Sequence, residues 1–501
     1  MNEKDWNFAL GSLGNPLADI KDWMLPPYPD WMEEKMRKTT NLDYKDFLKR
    51  KLIDVPNEGI SIVDIELNPM LFDFQKDIVK WCLKKGKSAV FTMTGTGKTL
   101  IQCEWAKHIH NHTKGKIIIY APLAVSYQTI REAKTKLGIE VNHCKEKSDL
   151  KDGINITNYD RIYKFNPKDF CAIVIDESSI LKSLDGKIKT TLIEDYKFVP
   201  YKLACTATPA PNDYMELGNH AEFLNVMNYS EMLSMFFVHD GAHTQKWRLK
   251  GHAEEDFWDW IAKWSVVLTK PSDLGYEDND FILPKLNIHN IKTISDFRLD
   301  DSYLFPVEAE TLQERQKARR KSIPGRLSEC EKIVNKLDEP CLVWCDYNLE
   351  SSELKRRLHH SVEIKGSDSN EHKEKAMIDF TEGKIKVLVT KPSIAGFGMN
   401  WQHCSKVVFF GLSDSFEKYF QAVRRCWRFG QKKPVDVYII TSNLEGNIVA
   451  NIKRKEENVL KLIENMVERT KDTISKNIKE LTFEKTKYQP TIKMELPSWL
   501  T

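Results

Sequence analysis

The 501-residue chain contains no apolar run near the ~18 residues that a bilayer-spanning helix needs, so no membrane partner is expected. Its first residues, MNEKDWNFALG, are polar and acidic and lack the apolar core of a secretory leader, which makes the cytoplasm the expected compartment. No Cys-x-x-Cys pair occurs. The ten cysteines are scattered, mostly in apolar runs (Cys171, Cys205, Cys341, Cys345, Cys404), as befits buried thiols of a reducing compartment and not a disulfide framework. Internal repeats are absent. The nearest approach to a metal cluster, HIHNH at His108 to His112, has no further ligands close in sequence and reads as a solvated helix face. An excess of either charge is lacking too: 75 Lys and Arg face 72 Asp and Glu, a net charge of +3. A nucleic-acid partner would therefore have to be held by a local basic groove, not by the overall charge.

What is present is α/β alternation. Strand-like runs separated by amphipathic stretches form two blocks. SAVFTM, KIIIYAP, INITNY, CAIVID and YKLACTAT belong to the first; CLVWCDY, SVEIKG, KVLVTK, KVVFFGL and VDVYIIT belong to the second. Short, nearly all-apolar strands between helices imply parallel sheets covered on both faces, hence two similar lobes. The expected division is an N-terminal extension over 1–68, lobe 1 over 69–216, a helical insertion and linker over 217–325, lobe 2 over 326–466 and a charged tail over 467–501. The insertion is rich in Trp, Phe and His. It ends in RQKARRKSIPGR, Arg315 to Arg326, which has six cations and no acid. That run reads either as a solvated linker helix or as a strap along nucleic-acid phosphates.

The chemistry starts at SAVFTMTGTGKTL. A strand, a small-residue loop and a helix starting at Lys98-Thr99 supply what a phosphate loop needs. Gly95 and Gly97 let backbone N–H groups turn inward around an anion, and the helix N-terminus adds its dipole. Thr94, Gly95, Thr96, Gly97, Lys98 and Thr99 are the expected nucleotide contacts: Lys98 for the β- and γ-phosphates, the Thr99 hydroxyl for Mg²⁺. Thr92 stands where the usual pattern has its first glycine. In CAIVIDESSILKS a buried strand runs into Asp176 and Glu177. Alone, that fits a helix cap as well as a site. Beside a phosphate loop, Asp176 fits the metal partner and Glu177 the group that orients or deprotonates the attacking water.

The order of these elements resembles superfamily-two helicases and translocases, which have two RecA-like lobes. LFDFQKDIVKW resembles the segment before the phosphate loop whose glutamine, here Gln75, reads adenine. APLAVSYQ resembles motif Ia. VIDESS resembles the DEAD/DEAH motif, with Ser178-Ser179 replacing its usual last pair. CTATPAPND resembles the motif in which Thr206 and Thr208 couple lobe 1 to nucleotide state. CLVWCDYN resembles motif IV and TKPSIAGFGMNW motif V. QAVRRCWRFGQKKPVDVYII resembles motif VI, most closely in its Swi/Snf-type form, and VLTKPSDLGYEDNDFILPK also resembles that branch, where a basic segment and a Leu-Pro lead into the second lobe. The Trp-rich insertion resembles helicase-like proteins of phages and bacterial mobile elements, which implies a bacterial or phage-infected host cytoplasm.

Arg424, Arg425 and Arg428 lie on or near one helix with no acid partner in sequence, so they want an anion. The resemblance implies that Arg425 and Arg428 are arginine fingers on the γ-phosphate and that Gln421 contacts nucleotide or water. Asp379, Glu382 and Lys384 loosely imitate a nuclease triad, but in such lobes this stretch is a helix, a turn and a strand. The expected function is an ATP- and Mg²⁺-dependent DNA helicase or translocase on duplex or forked DNA. An RNA helicase and a nucleotide-gated scaffold with little hydrolysis are the alternatives. Lys98, Glu177, Arg425 and Arg428 argue against the scaffold.

Overall fold

The computed structural model describes residues 55–63, 65–182, 186–211, 213–239, 247–294, 317, 319–395, 399–413, 415–443 and 448–482. Most of the expected N-terminal extension, Gly396 to Gly398 of motif V and residues 483–501 lie outside them.

Lobe 1 is built on a parallel sheet. Its first six strands are β1 (Lys87–Thr92), β2 (Ile117–Ala121), β3 (Val141–His143), β4 (Ile154–Asn158), β5 (Ala172–Asp176) and β6 (Tyr201–Thr206). Five of them are the runs expected from sequence; β2, β4 and β5 are buried along their whole length, as strands covered on both faces must be. Two short antiparallel strands, β7 (Phe237–His239) and β8 (Trp247–Leu249), form a hairpin beyond it.

The region expected to be a helical insertion gives a strand to each sheet. β9 (Ser265–Leu268) pairs with β1 and completes the order β3-β4-β2-β5-β6-β1-β9. β10 (Leu286–Thr293) pairs with β15 of lobe 2. Lobe 2 holds β11 (Cys341–Trp344), β12 (Ser361–Glu363), β13 (Val387–Thr390), β14 (Lys406–Phe410) and β15 (Val435–Ser442), in the order β10-β15-β14-β11-β13-β12, again all parallel. Two RecA-like lobes therefore share one chain, and the connection between them is stitched into both sheets.

The Trp-rich segment is helical where its spacing says so. Helix Glu254–Trp264 buries Phe257, Trp258, Trp260, Ile261 and Trp264 on one face. Phe257 and Trp260 of that face pack on Phe236, and Trp264 on Phe91, while Glu254, Asp259 and Ala262 of the same helix meet the end of the chain. Residues 467–482, expected to be part of a charged tail, continue a helix that spans Ile448–Thr482. Its Val459, Ile463, Met466, Val467, Ile474 and Ile478 are buried at helical spacing. The helix starts after lobe 2, touches helix Phe416–Val423 there, and then lies on helix Glu254–Trp264, helix Asp73–Lys85 and β9 of lobe 1.

The basic run is corrected in part. Arg319 and Arg326 are buried, not laid along a surface. Both converge on Glu350, which is fully buried: Arg319 donates to it through Nε (2.8 Å) and Nη2 (3.0 Å), and Arg326 through Nη2 (3.1 Å). Arg319 also donates to Asp346 and to the Leu412 carbonyl, and Arg326 to the Phe410 carbonyl. A desolvated guanidinium needs such partners, so these two residues hold lobe 2 together. Arg320 and Lys321 stay exposed.

Candidate nucleotide site between the lobes

β1 lies next to β6 and one strand from β5, and all three end on the same edge. The phosphate loop and the Asp176-Glu177 pair therefore emerge side by side, where parallel α/β sheets place their ligands. The loop turns at Gly95 (φ 99°) and Gly97 (φ 89°), a backbone region open to glycine. A Cβ on Gly97 would meet Gln75 at 2.2 Å, and one on Gly95 would meet Phe429 of lobe 2 at 3.0 to 3.1 Å. Helix Lys98–Thr113 starts immediately after the loop, so Lys98 and Thr99 open its first turn.

Thr92 has a purpose at its position. Its hydroxyl accepts from Thr96 Oγ1 at 2.7 Å, while the same Thr96 hydroxyl lies 2.8 Å from the Met93 carbonyl. The backbone of Thr92 stays outside the left-handed region, so no glycine is needed. Lys98 folds back on the loop and donates to the Thr92 carbonyl (2.6 Å) and the Met93 carbonyl (3.2 Å). Gln75 sits beneath: its Oε1 accepts from Phe72 N–H (3.0 Å) and its Nε2 donates to the Thr96 carbonyl (2.7 Å). It is buried and braces the loop from below.

The acids are held under tension. Glu177 has φ 57°, rare for a side-chain-bearing residue and a mark of local strain. Tyr159 Oη donates to the Asp176 carbonyl at 2.5 Å, and Glu177 N–H donates to Asp176 Oδ1 at 3.1 Å. Burial and the neighbouring Glu177 carboxylate raise Asp176 well above the ordinary carboxylate range, against the pull of Lys98. Burial likewise lowers Lys98, with Glu177 and Asp176 opposing. Ser178 is hydrogen-bonded to His220 Nε2 (3.1 Å), and His220 Nδ1 faces the Glu216 carbonyl (3.4 Å). Burial pushes His220 down to about 4, so the ring is neutral, with Nδ1–H donating and Nε2 accepting.

Lobe 2 closes the site from the other side. Gln421 lies on helix Phe416–Val423, but Arg425 and Arg428 do not: the helix ends at Val423, Arg424 caps it, and the other two sit on the turns that follow. Arg425 is anchored through Nε to the Gln421 carbonyl (3.1 Å) and through Nη1 to the Met399 carbonyl (3.2 Å). Burial and the neighbouring Arg428 disfavour its charge, while Glu177 and Asp176 of lobe 1 support it. Arg428 in turn disfavours the charge on Lys98. The cations of both lobes thus act on one pair of carboxylates. Thr94 Oγ1, Glu177 Oε2, Thr208 Oγ1, Gln421 Oε1 and Arg424 Nε are buried without a hydrogen-bond partner, which marks this as a place built for a polar ligand.

Sequence reasoning missed several residues here. A cavity of about 430 Å³ beside the loop is bounded by Thr269, Lys270, Asp278 and Phe281 from the connecting segment and by Phe429. Phe429 had a signal, since it follows Arg428 directly; Tyr159 and His220 had none. A second cleft, about 940 Å³, runs between the two lobes. Tyr127, Arg131, Lys134 and Lys136 border it from lobe 1, and Lys373, Met377 and Gln402 from lobe 2. Asn400 donates across the lobes to Glu132 at 2.6 Å. The nuclease-like trio is a surface ion cluster, with Lys384 paired to Glu382 (2.6 Å) and Asp379 (3.5 Å). Of the histidine cluster, His108 bonds the buried Glu104 (3.0 Å) and His110 the Gly115 carbonyl (2.8 Å). Among the described residues no metal-ligating group forms and no helix is long and apolar enough to cross a membrane.

Fold and site define a two-lobe core with a phosphate loop in one lobe and an arginine pair in the other. Residues 67–211 match the family described as the res subunit of type III restriction enzymes, and residues 325–430 match the helicase conserved C-terminal domain. These two matches, one in each lobe, support a superfamily-two helicase core. It is similar to a bifunctional helicase and thymine dioxygenase of Leishmania braziliensis, 32% identical over 20% of this chain. It is also similar to a probable ATP-dependent RNA helicase of Dictyostelium discoideum, 28% identical over 24% of this chain. It spans 9% and 18% of the length of these two relatives. Among solved structures it is similar to the Sulfolobus solfataricus SWI2/SNF2 ATPase core in complex with double-stranded DNA, at 18% identity and a TM-score of 0.38. That match covers 83% of this chain and 97% of the other.

Proposed function

We propose that the protein hydrolyses ATP with Mg²⁺ and couples the cycle to movement on DNA. The observation that carries this reading is Glu177: one of its carboxylate oxygens is buried without a partner, in a strained turn, and its charge acts on both the phosphate-loop lysine and Arg425 of the other lobe. ATP, as substrate, would lie on the N–H groups of Thr94 to Thr99 with Lys98 released from the loop carbonyls onto its phosphates. Thr99 and Asp176 would hold the metal, whose part is to neutralise charge on the β- and γ-oxygens. Glu177 would orient the attacking water, and Arg425 and Arg428 would meet the γ-phosphate when the lobes close.

The polymer would take the basic cleft between the lobes, where Arg131, Lys134, Lys136 and Lys373 reach phosphates and Tyr127 offers a ring. Such contacts carry little sequence information. The Swi/Snf-type form of motif VI favours duplex DNA. The test is ATP turnover with single-stranded, duplex and forked DNA and with RNA. Stimulation by RNA alone would favour an RNA helicase instead. Lys98→Ala is expected to abolish turnover and weaken nucleotide binding. Glu177→Gln is expected to bind ATP normally and turn over poorly. Equal loss of ATP affinity in both variants would contradict this division of roles.

A further inference from the structure

The Ser178-Ser179 pair departs from the usual DEAD/DEAH ending, and the two hydroxyls point to different lobes. Ser178 is tied inward to His220 of lobe 1. Ser179, itself buried, donates to Glu417 Oε1 of lobe 2 at 3.1 Å. The second oxygen of Glu417 pairs with Lys182, one turn further along the same segment of lobe 1. Glu417 stands in the first turn of helix Phe416–Val423, which carries Gln421 and leads into Arg425. One carboxylate of lobe 2 therefore grips both ends of the turn Ser179–Lys182, next to the strained Glu177.

We propose that Glu417 is a positioning residue that transmits lobe closure to Glu177. With the lobes together, Glu417 accepts from Ser179 and Lys182 and fixes the turn that starts at Glu177. With the lobes apart, the turn keeps its His220 anchor but loses Glu417, and with it part of the frame that holds the costly backbone angle of Glu177. Glu417 need not touch nucleotide to do this. The hydroxyl of Ser179 suits the role because it can be taken up and released without stranding a charge. A carboxylate there would repel Glu417. The inference rests on the proposed function, since it supplies the route by which a bound polymer that draws the lobes together speeds hydrolysis.

The test uses the full chain and measures kcat and KM for ATP with and without duplex DNA, beside DNA binding and a melting curve. Glu417→Ala should lower the DNA-stimulated kcat about tenfold or more, the scale of a lost charge-assisted hydrogen bond, with KM for ATP and DNA binding nearly unchanged. Glu417→Gln, which keeps the shape and the fold, should lose less, because it still accepts from Ser179. Lys182→Glu and Glu417→Lys should each be impaired, and the double exchange should recover most of the stimulation. Full stimulation in Glu417→Ala, or a double exchange no better than its single parents, would overturn the relay and leave the proposed function standing. A wild-type enzyme that no nucleic acid stimulates would overturn both.

Discussion

Asp176 is buried beside a second carboxylate, so its own charge comes at a cost. Burial and Glu177 hold the Asp176 carboxyl up to about 7. A metal arriving at Asp176 must therefore displace a proton. Mg²⁺-dependent nucleotide binding is expected to strengthen as pH rises toward about 7 and to level off above it. In the metal-free protein the sign is the reverse. The folded state keeps a proton that the unfolded chain has already lost, so stability falls as pH rises from the ordinary carboxylate range toward about 7. Nucleotide titrations and melting curves across that range check both statements, and Asp176→Asn should flatten the second. Lys98, Asp176 and Glu177 were legible in the sequence because each follows closely on an apolar strand, Lys98 after a glycine loop and the two acids at the strand's end, where letter order and geometry coincide. His220 was not, because the hydrogen bond that ties it to the site spans 42 residues.

Among the elements, the segment that joins the lobes carries the sharpest lesson. In sequence Arg319, Arg320 and Lys321 look alike. In the fold Arg319 is buried in the lobe 2 core, and the other two face solvent. Nothing local separates them, since the partner carboxylate of Arg319 is 31 residues away. Burial works to raise Glu350, but Arg319 and Arg326 outweigh it and hold the carboxyl below its usual range. Removing this acid leaves two buried guanidinium groups without their shared partner. Glu350→Ala is expected to destabilise lobe 2 by about 3 to 5 kcal/mol, to be measured by denaturant unfolding. Because the carboxyl is depressed, its contribution is complete above the ordinary carboxylate range and is lost as pH falls through its lowered value, so wild-type lobe 2 should be acid-labile and the variant less pH-sensitive there. β9 and β10 were missed for a related reason. The Trp-rich helical spacing before β9 and the half-polar LNIHNIKT of β10 hide strands whose partners lie far along the chain.

At the scale of the molecule, Lys98 and the arginines of motif VI are more than 300 residues apart, yet they act on one site. Arg425→Ala and Arg428→Ala are expected to leave both lobes folded and ATP binding mildly weakened, with turnover reduced about a thousandfold or more. Unfolding of these variants, seen in a melting curve, would make the arginines structural. Arg425 is the more exposed to that outcome, since it already donates to two carbonyls of its own lobe. The two lobes were legible because ten apolar strands announce two parallel sheets. The closing helix was not, because its apolar face is diluted by charge: Ile448–Thr482 turns most of its surface to solvent.

That helix also sets the order in which the protein can be made. The flank of lobe 1 formed by helix Asp73–Lys85, helix Glu254–Trp264 and β9, complete in sequence by Leu268, is covered by residues that follow the whole of lobe 2. Thr473 donates to Asp259 at 3.2 Å, Asn477 to the Ala262 carbonyl at 3.3 Å, and Arg469 pairs with Glu254 at 3.2 Å. A ribosome releasing this chain from its N-terminus presents lobe 1 with a flank whose covering helix, Ile448–Thr482, is not yet synthesised. Domains ordinarily finish one after another during synthesis; here the first to emerge is the last to be sealed. Until then the uncovered flank invites aggregation or a chaperone, and a chain cut short before residue 448 would leave the ribosome with that flank still open.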